Sequence, residues 1–152
     1  MKKKIYNKSV IYYIMWSPLY TYDRFSASRI LPELPGLLCI MEDTPGDPGY
    51  LLFYNCWREG LRHGLRIFFD PMFSKLPAIR DSIKDRTLLY KYTVIDSNPL
   101  DMKDIMCLLI MKYQPAFNDL QNFSDSGRHD DISLNEMNMK AGETIERFPQ
   151  IL

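Results

Sequence analysis

The residues of this chain best suited to chemistry are three arginines four apart, Arg58, Arg62 and Arg66. At that spacing they form one stripe along a helix, with Trp57 and His63 nearby. A guanidinium stays charged and offers a planar fork of N–H groups to phosphate oxygens, so the stripe predicts contact with a nucleic-acid backbone. The plainer reading is a solvated helix face paired with acids such as Glu59. Gly60 and Gly64 stand on another side of the same segment. Glycine inside a helix costs about 1 kcal/mol against alanine, so the pair predicts close approach by another backbone, that of a protein partner or a second copy of the chain. His63 and His129 are too far apart in sequence to make a metal motif. Ser124, Ser126, His129, Asp130 and Asp131 lack any nucleophile elbow or oxyanion loop and read as a polar turn.

Composition narrows the classes. The chain has 152 residues, 46% apolar and 25% charged, enough for one domain with a core. Nineteen basic residues balance nineteen acidic ones, which excludes a strongly basic nucleic-acid protein as a whole-chain description but leaves room for a local basic patch. The charge is uneven. From Asp119 onward three basic residues face seven acidic ones, a net −4, which leaves +4 on residues 1–118. No apolar run approaches the ~18 residues of a membrane helix. The start, MKKKIYNKSVIYYIMW, has a short, tyrosine-rich apolar part and no small-x-small site after it, unlike a secretory leader. Cys39, Cys56 and Cys107 sit singly, without CxxC spacing, and read as buried thiols. Together these predict a cytoplasmic protein without a membrane partner.

The elements that must carry these groups follow from periodicity and punctuation. Residues 10–16 are aromatic and β-branched, suiting a strand. Thr21 or Asp23 is placed to cap a short helix that Pro32 and Pro35 end. Residues 37–41 and 50–56 read as a hairpin around the turn-rich EDTPGDPG. Residues 57–69 show one apolar face through Leu61, Leu65, Phe68 and Phe69, a helix stopped by Asp70-Pro71. A weaker helix spans 74–84, with Pro77 in its first turn, and a third strand spans 88–95. Asn98-Pro99 starts a helix that runs to Pro115. The predicted class is α/β, a small sheet flanked by helices in the order β-β-α-α-β-α. Residues 1–33 form an N-terminal extension, 34–118 the domain and 119–152 an acidic tail over the surface.

Three segments in that domain resemble the GIY-YIG nuclease family. LPGLLCIME at 34–42 is similar to its PGIYxI strand, YNCWREGLRHGLRIFF at 54–69 to its YIG strand and first helix, and CLLIMKYQPAFN at 107–118 to its closing helix and asparagine. The resemblance implies a phosphodiesterase site built from a tyrosine, an arginine and a glutamate that holds a divalent metal. Carried onto this chain, the second tyrosine falls on Tyr54 and the asparagine on Asn118. The first tyrosine falls on Leu38, the second glycine on Cys56, the arginine on Gly64 and the metal glutamate on Met106. Sliding the second segment by two makes Arg62 the catalytic arginine but puts Glu59 and His63 at core leucine positions; the unshifted register keeps Leu61 and Leu65 there. Asp104 faces away from the position of Met106, and Asp101 reads as a first-turn acid.

The resemblance therefore implies a degenerate nuclease fold. The expected function is non-catalytic binding of a nucleic acid or a protein partner. The alternatives are a divergent Mg²⁺-dependent DNA endonuclease with relocated residues, and a dimerising structural or regulatory subunit. Leu38, Gly64 and Met106 are expected side by side, covered by neighbouring core groups, by the apolar end Phe148, Ile151 and Leu152, or by a second subunit.

Overall fold

The computed structural model describes residues 1–46 and 48–140. It is a mixed α/β structure with two small sheets and four helices. The larger sheet is antiparallel, in the order β3-β6-β4-β5, from β3 Tyr20–Thr21, β4 Gly36–Glu42, β5 Gly49–Asn55 and β6 Leu88–Val94. The smaller one, β1-β2-β7, joins β1 Lys2–Tyr6 antiparallel and β7 Asp131–Asn138 parallel to β2 Ser9–Trp16. The helices are α1 Arg24–Ile30, α2 Leu61–Phe69, α3 Pro77–Ile83 and α4 Pro99–Tyr113. From β4 to α4 the order is the expected one.

β4 explains the layering. Every residue from Gly36 to Met41 is buried, and successive side chains point to opposite faces, so both faces need cover. Leu38 and Ile40 join Leu52, Tyr54, Tyr90 and Tyr92 in a core closed by Ala27, Leu61, Leu65, Phe68 and Ile83 of the first three helices. Leu37, Cys39 and Met41 join Phe53 in a second core with Met102, Ile105, Met106, Leu109 and Ile110 of α4 and Val10, Tyr12, Ile14 and Trp16 of β2. α4 is thus packed against both sheets. That accounts for eight buried residues around its circumference, Asp101 and Asp104 among them.

Local chemistry sets the helix ends. Asp23 caps α1 by accepting from Ser26 N, Pro77 opens α3, and Asn98 caps α4 by accepting from Asp101 N. α2 starts four residues later than the periodicity predicts. Gly60 takes φ +81°, a conformation that glycine alone adopts freely, so residues 57–59 form a turn and Arg58 is not on the helix.

The expectation that the segment after Asp119 runs over the surface needs correction for residues 131–138. They alternate in burial and enter the small sheet as β7, with Ile132 and Leu134 packed on the second core. The apolar end Phe148, Ile151 and Leu152 lies outside the described residues. Among those described, no helix is long and apolar enough to cross a membrane.

Candidate ligand-binding groove

α1 and α2 lie side by side on the larger sheet, and the space between them is an open groove of about 750 Å³. Its floor is apolar, from Ala27 and Leu65. One wall is the stacked pair Tyr22 and Phe69, ring centroids 4.3 Å apart. Three guanidiniums reach it, Arg24 from the first turn of α1 and Arg62 and Arg66 from α2. Arg62 is held in place: Nε donates to Leu31 O at 2.9 Å and Nη1 to Glu33 Oε1 at 2.9 Å, which leaves further N–H groups on its fork. Arg24 and Arg66 are exposed and make no hydrogen bond or ion pair among the described residues. Phe25 lines the groove while 72% exposed. Asp70 is the one carboxylate in the lining. Burial raises the Tyr22 phenol, and neighbouring Arg24 pulls it down.

A second polar cluster lies inside the molecule, where α4 meets the small sheet. Asp101 and Asp104 are fully buried. Asp101 accepts from Lys3 Nζ at 3.2 Å, Ser97 Oγ at 2.6 Å and Arg128 Nη2 at 2.8 Å. Asp104 accepts from Tyr12 OH at 2.5 Å, Ser126 N at 2.6 Å and Arg128 Nη2 at 3.3 Å. Two cations meet two carboxylates and every carboxylate oxygen has a donor, so the cluster is a closed fastening between β1, β2, α4 and the loop before β7. Among the described residues no group of three or more His, Cys, Asp or Glu is placed to hold a metal ion.

A family model described as "Uncharacterised protein" matches residues 1–149. The chain belongs to that family. No curated protein and no solved structure matches it. Membership of this family corrects the resemblance to GIY-YIG nucleases, because the match spans nearly the whole chain, both extensions included, and is not to that family.

In this family member the residues that carried the resemblance have packing roles. Tyr54 is buried against Phe68, ring centroids 5.1 Å apart, and burial pushes its phenol up to about 12. Asn118 clasps the edge strand β5: its Oδ1 accepts from Phe53 N at 2.8 Å and its Nδ2 donates to Phe53 O at 3.1 Å. Leu38, Gly64 and Met106 are not brought together. Leu38 is in the core under α1–α3, and Met106 is in the core beside α4, on the other face of the sheet. Gly64 faces Cys56, where a Cβ would lie 2.6 Å from the Cys56 sulfur.

The two glycines also differ from expectation. Close approach occurs, but within the chain, since Gly60 faces the backbone of Glu33 and Leu34 and both glycines are buried. A partner surface through Gly60 and Gly64 is thereby corrected. Of the arginine stripe, Arg62 and Arg66 share the groove, whereas Arg58 is exposed in the turn before α2. Glu59 pairs with Lys75 instead of an arginine. Arg24 and Phe25 were not foreseen, because only the side-by-side packing of two helices far apart in sequence brings them to Arg66. The buried fastening was missed for the same reason: its partners are 89 and 98 residues apart.

Proposed function

We propose that this protein is a non-catalytic binding protein that holds nucleic-acid phosphates in the groove between α1 and α2. The observation that carries the reading is the convergence of Arg24, Arg62 and Arg66 on one open space, where Arg62 is paired with Glu33 and Arg24 and Arg66 form no ion pair among the described residues. Phosphate contacts supply most of the affinity of such complexes, and a guanidinium already oriented by backbone and carboxylate partners, as Arg62 is, loses less freedom on binding. A reducing, intracellular setting is part of the proposal and is supported by three free, buried cysteines.

The test is fluorescence anisotropy of a labelled oligonucleotide at 50 mM salt. Arg24→Glu with Arg66→Glu reverses two exposed charges without touching either core, and is expected to weaken binding about a hundredfold. Equal affinity of variant and parent, or no binding by the parent, would contradict the proposal.

A further inference from the structure

We infer that the ligand of this groove is single-stranded RNA, with an unpaired base resting on Phe25 and a ribose 2′-hydroxyl donating to Asp70. The inference rests on the phosphate-binding reading and adds the class of strand. The groove offers more than cations. Phe25, 72% exposed, stands at its rim, and Met72 and Phe73, 83% and 68% exposed, directly follow the lining residue Pro71. Flat rings interleaved with guanidiniums are how proteins hold single strands, phosphates on the cations and base faces on the rings. A duplex keeps its base faces inside the stack and presents its backbone on a convex surface. It can reach Arg24 and Arg66 but leaves Phe25 without a use.

Asp70 decides between the two kinds of single strand. Its Oδ1 accepts from Met72 N at 2.8 Å. Its Oδ2 accepts from no group among the described residues, and the carboxylate forms no ion pair with the three arginines that share the groove. A carboxylate repels phosphate, so in a site for phosphate alone it is a liability. Beside a hydroxyl donor it becomes an acceptor, and the 2′-hydroxyl is the group that separates RNA from DNA. Acidic residues accept from ribose hydroxyls at dinucleotide sites for the same reason. An acidic peptide would satisfy the arginines, but it brings carboxylates against Asp70 and has no flat face for Phe25.

Anisotropy with five probes of similar length tests the inference: single-stranded RNA, single-stranded DNA of the same sequence, duplex RNA, duplex DNA and poly-glutamate. The expected result is tightest binding of single-stranded RNA. Phe25→Ala should lose about tenfold on that probe and little on the duplexes, and Phe25→Trp should restore it. Asp70→Asn, which keeps the Oδ1 acceptor for Met72 N, should shrink the RNA-to-DNA affinity ratio toward one. Equal binding of single-stranded RNA and DNA by the parent, equal binding of duplex and single strand, or an Asp70→Asn variant with an unchanged ratio would overturn the inference and leave the phosphate reading standing. Preferential binding of poly-glutamate, or of no probe, would overturn both.

Discussion

Asp101 and Asp104 are fully buried carboxylates whose charge is held by hydrogen bonds and cations, so stability is expected to follow their protonation. Burial pushes the Asp101 carboxyl up, but hydrogen bonds from Ser97, Arg128 and Lys3 outweigh it, so it sits below its ordinary value. Asp104 follows the same pattern, with Tyr12 and Ser126 as its main donors. A carboxylate depressed in the folded state contributes stability that is complete above the unfolded value of about 3.9 and is lost as pH falls through the depressed folded value. The melting temperature should therefore hold from neutral pH to about 5 and fall below about 4. Arg128→Met leaves two buried carboxylates with Lys3 as their only cation and should cost about 3 kcal/mol at neutral pH, read from urea midpoints. Its acid fall should be shallower than the parent's, because the aspartates are then less depressed. Identical acid slopes for the two proteins would show that the cluster does not control acid stability. Asp101 was legible as a first-turn acid, but its burial was not, since nothing local marks a carboxylate whose cations come from the two ends of the chain.

Among the elements, α2 shows where local pattern and tertiary packing disagree. Leu61, Leu65 and Phe68 form the expected apolar face and are buried, yet the first turn yields to Gly60. Gly64 sits mid-helix because Cys56 occupies the space where a Cβ would go. Gly64→Ala gains about 1 kcal/mol of helix propensity but overpacks Cys56 at a cost of about 1–3 kcal/mol, for a net effect between neutral and a loss of about 2 kcal/mol. Cys56→Ala removes the sulfur, so in that background Gly64→Ala should destabilise less or stabilise. A double-mutant cycle with no coupling would contradict the contact. The hairpin β4–β5 and Asn98-Pro99 opening α4 were legible, since a turn or a cap is written in adjacent residues, whereas α3 was expected from residue 74 and begins at Pro77. β7 was not. Its apolar positions are few, its setting is acidic, and its parallel partner β2 lies at the other end of the chain.

Across the whole molecule, a net charge of zero conceals a division of labour. Acids and bases cancel inside, at Asp101, Asp104, Lys3 and Arg128, and at the seam where Glu136 accepts from Trp16 Nε1, Lys112 Nζ and Tyr113 OH. The groove between α1 and α2 keeps the guanidiniums of Arg24 and Arg66 without ion pairs among the described residues, beside Arg62, which pairs with Glu33. Sequence periodicity placed Arg62 and Arg66 on one helix, but could not say that α1 brings Arg24 and Phe25 to face them. Leu38 and Met106, which the resemblance made into a lost site, belong to opposite cores in the fold. A groove that holds nucleic-acid phosphates must lose affinity as salt rises. Three phosphate contacts on a single strand predict a slope of log K against log salt near −2, about −0.7 per contact. Arg24→Ala with Arg66→Ala should reduce it to about −0.7, whereas equal slopes for parent and variant would contradict phosphate binding there.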